Sequence, residues 1–251
     1  MRNPRAVGIL VGTVVAVALS VPASAATVTI QPIQICQDDG TSCANSGQTL
    51  FEAEGDKIWA QAGIDLVFLA WAQYNETDFL NLSVDSDNDG FTESGEDEAF
   101  NLFNDPTTYS GSSSATVINM WFANQLDGSS TFYGVAVGGI IAIGWDAVAA
   151  FNGGVGRLDT IAHEIGHILG LPHFGPASAN NLMTTGGSRS IPGSINDIFP
   201  DGADLDQLTA DQIETVLGSD LVVGDPIPEP GTLVLLGVGL VGAAARRRLK
   251  S

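Results

Sequence analysis

The chain is poor in basic residues, histidine and cysteine. Its 251 residues include nine lysines and arginines against 29 aspartates and glutamates, with three histidines and two cysteines. Between residues 26 and 227 the only basic residues are Lys57, Arg157 and Arg189, and 28 residues are acidic, which gives a net charge of −25. Such a domain repels polyanions, so the composition excludes nucleic acid as a partner. The acidity suits either calcium binding or solubility outside the cell.

The N-terminal segment has the pattern of a secretory signal peptide. Arg2 and Arg5 precede an apolar run over residues 6–21, and Ala23-Ser24-Ala25 supplies a small-residue cleavage site. Residues 1–25 are therefore predicted to be removed, with a retained membrane anchor as the alternative. Residues 26–227 then form one exported domain of 202 residues, which is long enough for a single hydrophobic core.

All three histidines fall within eleven consecutive residues. His163 and His167 are four apart, so on a helix they lie one turn from each other on the same face and can bind one metal ion. Gly170 is predicted to end the helix at positive φ, which allows His173 to turn back as a third ligand. Three protein ligands with an open fourth position are typical of catalytic zinc, and Glu164 is placed to deprotonate a bound water. Helix-face histidines that only pack or solvate are the alternative.

This stretch resembles the active-site motif of the metzincin clan of zinc endopeptidases. The clan also has a methionine turn below the metal, and Asn181-Leu182-Met183-Thr184 supplies a candidate in Met183. The resemblance implies an α+β fold with a twisted mixed β-sheet, an active-site helix and a smaller C-terminal subdomain. It also implies hydrolysis of a protein or peptide substrate, with Zn²⁺ as cofactor and Glu164 as general base.

The helices and strands predicted elsewhere in the domain follow the order of elements in metzincins. A helix is predicted over residues 49–61, and strands are predicted over residues 64–71, 116–122 and 133–143, with a turn at Asp127-Gly128 before the last strand. In metzincins the strand upstream of the active-site helix pairs with extended substrate, and residues 133–143 would take that place. Thr209 to Gln212 fits a capping box that begins a closing helix.

Two positions depart from the best-known subfamilies. Phe174 follows the third histidine, where matrixins have serine and serralysins have proline, so pappalysin-like enzymes are the nearest. Thr185 stands two residues after Met183, which argues against a tyrosine zinc ligand of the astacin or serralysin kind.

Residues 85–96 have the ligand spacing of an EF-hand-type calcium loop. Gly90 is at the sharp turn, and residues 97–103 are predicted to form the exiting helix. A solvated acidic loop is the alternative. The predicted Ca²⁺ ligands are Asp85, Asp87, Asp89, Phe91, Glu93 and Glu96.

Cys36 and Cys43 are seven positions apart in a polar segment. In an exported protein they are predicted to form a local disulfide. The alternative is that one thiolate binds the zinc as a latency switch, as in matrixin propeptides.

The C-terminal segment, residues 228–251, begins with Pro228-Glu229-Pro230 and ends in a basic cluster after an apolar run over residues 232–245. That run is shorter than the roughly 20 residues that span a bilayer as a helix. The order of motifs resembles the PEP-CTERM sorting signal of Gram-negative bacteria, which implies cleavage by an exosortase and transient membrane association. Localisation at the cell surface or outside the cell follows. A permanent tail anchor is the alternative.

Two functions remain for the domain at residues 26–227. The first is a secreted zinc endopeptidase in which His163, His167 and His173 hold the metal. The second is a non-catalytic calcium-binding surface or extracellular-matrix protein with a vestigial zinc site. The intact Glu164 favours the enzyme.

Overall fold

The computed structural model describes residues 25–87, 92–175 and 178–224. The predicted signal peptide, apart from Ala25, and the C-terminal sorting segment lie outside the described residues. Within those three ranges no helix is long and apolar enough to cross a membrane.

The described part of the chain combines a β-sheet with several short helices. The strands are β1 (Ala26–Cys36), β2 (Ile64–Phe68), β3 (Ala72–Asn75), β4 (Asn81–Leu82), β5 (Val117–Ala123), β6 (Gln125–Leu126), β7 (Gly134–Val137) and β8 (Ile140–Gly144). The helices are α1 (Glu52–Trp59), α2 (Glu98–Asn104), α3 (Trp145–Gly154), α4 (Thr160–Ile168) and α5 (Ala210–Leu217).

A twisted six-stranded sheet lies at the centre, in the order β2-β1-β5-β8-β7, with β3 continuing beside β1 after β2. Every pair in it is parallel except β7 with β8, which makes β7 an antiparallel edge strand. Strands β4 and β6 form a separate parallel pair. The predicted mixed sheet is therefore confirmed, and the fold is mixed α/β with a mostly parallel sheet.

Strand β5 shows why the sheet lies inside the molecule. Six of its seven residues are buried, as expected for a central parallel strand that is covered on both faces. Ile118, Met120 and Phe122 pack into the core cluster that contains helices α1 and α4. Trp121 belongs to the other cluster, which includes Leu102 of α2. The alternation of side chains along β5 thus divides the hydrophobic core into two layers.

Strand β1 was not predicted from the sequence, although it lies between β2 and β5. Pro32 interrupts its alternation and lacks the N–H that a central strand usually needs. In the structure Pro32 lies between the part of β1 that pairs with β2, ending at Ile30, and the part that pairs with β3, starting at Ile33. The missing donor therefore falls where β1 changes partners on that side.

The single strand predicted over residues 133–143 is wrong. The segment forms a hairpin, in which Gly138 and Gly139 make the turn between β7 and β8. Both glycines have positive φ, at 61° and 91°, a conformation that other residues adopt only with strain. The Gly-Gly pair was the signal that an apolar run of this length contains a turn.

The helices largely follow the sequence pattern. The predicted helix over residues 49–61 is observed as α1, followed by one 3₁₀ turn, and Gly63 ends it at φ 68°. The closing helix is observed as α5, where Thr209 and Gln212 form the complete capping box. Helix α2 begins one residue later than the predicted exiting helix. The predicted strand over residues 64–71 is observed as β2.

Candidate metal centre

Helix α4 carries the first two histidines. Ile161 and Ile165 on one side of this helix pack into the core, which fixes the helix against the sheet. Gly170 has φ 98° and donates its N–H to the carbonyl of His167, so the helix stops there and the chain can reverse. His173 follows the reversal. The predicted role of Gly170 therefore matches its conformation.

The structure brings the three histidines together. The Nε2 atoms of His163 and His167 are 3.2 Å apart, and those of His167 and His173 are also 3.2 Å apart. The solvent exposure of the histidines increases along the chain: His163 is buried, His167 is half-buried and His173 is exposed. Three imidazole nitrogens at this spacing, open to solvent on one side, have the donor chemistry of a zinc site.

Backbone carbonyls orient two of the three rings. Nδ1 of His163 lies 2.8 Å from the carbonyl oxygen of Leu182, and Nδ1 of His167 lies 2.8 Å from that of Leu171. A carbonyl only accepts, so a proton on Nδ1 makes each of these hydrogen bonds and leaves the Nε2 lone pair for a metal ion. Burial lowers the pKa of His163 to about 2 and also lowers the pKa of His167. Both rings are therefore neutral at pH 7, as metal binding requires.

Glu164 lies beside the cluster and is 6% exposed. Burial raises the pKa of its carboxyl group to about 8. A nearby cation would lower that pKa again. The carboxylate fits against the backbone of the edge strand, since a Cβ at Gly134 would lie 2.9 Å from Cγ of Glu164. Any larger residue at position 134 would therefore clash with the side chain of Glu164.

Met183 lies underneath helix α4 and is fully buried. A Cβ at Gly166 would come within 2.6 Å of its sulfur, so the glycine between the first two histidines lets the methionine approach the helix closely. The next residue back, Leu182, supplies the carbonyl that orients His163. The turn that contains Met183 is thus attached to the histidine cluster by packing and by a hydrogen bond.

A buried ionic cluster was missed by the sequence reasoning. Asp159, fully buried before α4, lies 2.9 Å from Nη2 of Arg189 and 3.6 Å from Nε of Arg157. Nη1 of Arg189 donates to the carbonyl of Leu182 and contacts Nδ1 of His163. Arg189 therefore connects the start of α4 to the turn below the histidines. The scarcity of arginine in the domain was the available signal.

A cavity of about 580 Å³ opens next to the cluster. The three histidines and Glu164 lie on one side, strand β7 forms another wall, and the two buried arginines line it as well. Because β7 ends the order of the central sheet, its backbone borders this cavity as a sheet edge.

The acidic loop is only partly described, because Asp89 and Phe91 lie outside the described residues. Ligand atoms of Asp87, Glu93 and Glu96 lie within 4.8 Å of one another. The buried carboxylate of Asp97 accepts from the N–H groups of Ser86, at 2.9 Å, and Glu93, at 3.0 Å. Asp97 thereby connects the two ends of the loop.

Asp85 is held at the start of the loop by its backbone, since its N–H donates to Oδ1 of Asp127 over 3.3 Å. Its side chain is not among the three carboxylates that cluster.

Cys36 and Cys43 form a disulfide in the structure. Each sulfur is bonded to the other, so neither is a thiolate that could bind a metal ion. The disulfide joins the end of β1 to the loop that follows it.

Comparisons with known proteins identify the tail. A family model for the PEP-CTERM protein-sorting motif matches residues 226–248, which confirms the predicted sorting signal. No curated protein matches the chain. A zinc-dependent peptidase from Methanocorpusculum labreanum, known from its crystal structure, is similar at 11% identity over 74% of this chain and 99% of that one, with a TM-score of 0.37. A score this low does not establish a shared fold. The sorting motif indicates an exported protein of a Gram-negative bacterium.

Proposed function

We propose that the protein is an exported zinc-dependent endopeptidase of the metzincin type. The observation that carries this proposal is the convergence of three histidine Nε2 atoms beside a buried glutamate, at the mouth of a cavity bordered by a sheet edge. In this proposal residues 26–227 are the protease domain, with the part after α4 as its smaller C-terminal subdomain.

The donor set fits a zinc ion. His163, His167 and His173 would hold it through neutral imidazoles, and the carbonyls of Leu182 and Leu171 would keep two of the rings in place. When bound, zinc lowers the pKa of a water ligand toward about 7 and polarises a carbonyl group. Met183 would support the ligands from below.

Glu164 would be the general base. Its carboxylate takes a proton from the attacking water and passes it to the leaving amine, which must be protonated before it departs. The burial that raises its pKa also excludes bulk water from the proton transfer.

Strand β7 would hold the substrate backbone. An extended peptide can pair with a free sheet edge through main-chain hydrogen bonds, which bind many sequences alike. Gly134 lies against Glu164, and Gly134, Val135 and Ala136 line the cavity beside the histidines, so a peptide on this edge would pass the histidine cluster.

Digestion of an unbiased peptide pool tests this function. The zinc-loaded protein should generate new peptide ends, detected by mass spectrometry, and a zinc chelator should stop their formation. If no new ends appear at any zinc concentration, the rival proposal of a non-catalytic calcium-binding surface or matrix protein with a vestigial site takes its place.

The loop at residues 85–96 is proposed to bind calcium. Three carboxylates already cluster there, and Asp97 closes the loop from outside the ligand set. The ligand set proposed is the six residues predicted from the spacing, with Asp89 and Phe91 completing the described ones. A bound ion would stabilise the loop that enters α2, on the face of the sheet opposite to the histidines.

Calcium should raise the melting temperature through this loop. A ligand at about ten times its dissociation constant adds about 1.4 kcal/mol, and about 1 kcal/mol shifts the melting temperature of a domain this size by about 2–4 °C. Differential scanning fluorimetry should show that rise at millimolar calcium. The rise should disappear in Glu96→Ala and persist in Glu214→Ala, whose exposed carboxylate is on α5. Identical melting curves with and without calcium would leave the loop merely solvated.

The exported chain is proposed to be processed at both ends. Removal of the signal peptide would make residue 26 the new N-terminus. The C-terminal segment would associate transiently with the membrane, and an exosortase would then cleave at the sorting motif. The product would remain at the cell surface or leave the cell.

A further inference from the structure

The cavity beside Glu164 has a composition unlike the rest of the domain. Of the three basic residues between positions 26 and 227, Arg157 and Arg189 both line it, and they are only 5% and 8% exposed. Lys57 is elsewhere, where it pairs with Asp201 at 2.8 Å. Both arginines of a domain with a net charge of −25 therefore lie at one cavity.

Both Nη atoms of Arg189 contact other parts of the protein. Its Nη2 pairs with Asp159 at 2.9 Å, and its Nη1 donates to the carbonyls of Leu182 and Thr184. These contacts fix the start of α4 and the turn below the histidines. Arg189 is a positioning residue that uses both Nη atoms within the protein, and its Nε has no hydrogen-bond partner among the described residues.

Arg157 is held in place with its donors unfilled. Its guanidinium carbon lies 4.2 Å from the centre of the Tyr133 ring, and its Nε is 3.6 Å from Asp159 without a hydrogen bond. Packing against an aromatic face fixes the plane of an arginine and leaves its edge nitrogens available. No described residue accepts a hydrogen bond from this guanidinium, although an arginine has five N–H donors.

The backbone at Gly186 passes close to the guanidinium of Arg157. A Cβ at Gly186 would lie 2.8 Å from Nη2 of Arg157, so the loop after Met183 passes directly against the guanidinium. Gly186 lines the same cavity. The end of the arginine is therefore enclosed by Tyr133, Gly186 and Asp159, and its remaining open side is toward the cavity.

Three buried acids lie near the two arginines. Asp159 is shared between them. Glu164 lines the same cavity, and Asp206 is fully buried, with carboxylate oxygens that have no hydrogen-bond partner among the described residues. Burial raises the pKa of Asp206.

We propose that Arg157 is a specificity-determining residue that receives a carboxylate from the substrate, namely an aspartate or glutamate side chain adjoining the scissile bond. This inference rests on the proposed peptidase function. The carboxylate would accept hydrogen bonds from the guanidinium in a site with little water, where charge-assisted hydrogen bonds are strong. The domain's net charge repels acidic peptides, so a preference for them requires a local contact of this kind.

A positional peptide library with the zinc-loaded protein tests the proposal. Peptides with glutamate at one position next to the cleaved bond should be cut with a kcat/KM at least about tenfold above their glutamine counterparts, as expected for a hydrogen-bonded charge pair. Arg157→Met should remove that ratio, Arg157→Lys should keep part of it, and Arg157→Glu should favour lysine. Lys57→Met, a basic residue outside the cavity, should leave the ratio unchanged.

A binding measurement separates this inference from the peptidase function. Fluorescence anisotropy with the Glu164→Gln protein should show tighter binding of the glutamate peptide than of its glutamine twin, and Arg157→Met added to that background should remove the difference. Failure of the wild-type protein to cut any peptide, with the binding difference intact, would overturn the peptidase function alone. Equal cutting and equal binding of the two peptides, or a ratio unchanged in both Arg157→Met and Arg157→Lys, would overturn the role of Arg157.

Discussion

Replacement of Glu164 by glutamine is expected to abolish peptide cleavage while the protein retains one zinc per chain. The carboxylate is proposed to act on the water and is not a ligand, so zinc binding should continue through the three histidines. Loss of a general base lowers rates by about 10²–10⁴-fold. Glutamine has the same shape as glutamate, which matters because Gly134 leaves little room beside the side chain.

The measurement combines zinc analysis by mass spectrometry with kcat/KM on one peptide. Glu214→Gln is the matched control, since Glu214 is an exposed residue of α5, and it should have wild-type values for both quantities. Near-native turnover in Glu164→Gln would show that another group serves as the base.

Replacement of His167 by alanine is expected to remove both the zinc and the activity. His167 is the middle member of the cluster, with its Nε2 3.2 Å from those of both other histidines. Loss of an outer hydrogen-bond partner of a zinc ligand typically lowers metal affinity by about 10–100-fold, so loss of the ligand itself should lower it by more than about 100-fold. A competition titration with a fluorescent zinc chelator would measure the change.

Phe174→Ala is the control for His167→Ala. Phe174 follows the third histidine directly, is 38% exposed and supplies no metal-binding atom. Its replacement tests whether a change near the cluster is enough to release zinc, and the expected affinity is that of the wild type. A single zinc held as tightly by His167→Ala as by the unaltered protein would exclude His167 from the site.

The candidate metal centre could be predicted from the sequence because its geometry is mostly local. The spacing of four between His163 and His167 needs only a helix, and the return of His173 needs only a residue that tolerates positive φ at Gly170. Met183 was found by its position relative to the motif. Its contact with Gly166 could not be deduced, because that contact joins two turns of chain that only the tertiary fold brings together.

The sheet was harder to predict than the site. Strand β1 contains Pro32, which is unfavourable inside a strand unless a partner changes at that point, and partner changes are not visible in one sequence. The β7–β8 hairpin was predicted as one strand, because its residues are apolar throughout and the alternation gives no boundary. The turn at Gly138 and Gly139 reverses the chain, and this reversal makes β7 an antiparallel edge strand beside the cavity.

The buried ionic cluster could not be located from sequence. Arg157, Asp159 and Arg189 are charged residues, and charged residues are usually exposed unless they are paired. Their pairing joins the start of α4 to a segment about 30 residues later, a contact that no local pattern records. Only the small number of arginines in the domain singled them out.

Zinc titration of the metal-free protein, with bound zinc and peptide cleavage followed in the same sample, tests the central claim most directly. The account predicts that cleavage rises in proportion to bound zinc and reaches its maximum at one zinc per chain, with His163, His167 and His173 as the ligands. Full zinc binding without cleavage of any peptide in an unbiased pool, or cleavage that continues in the metal-free protein, would contradict it.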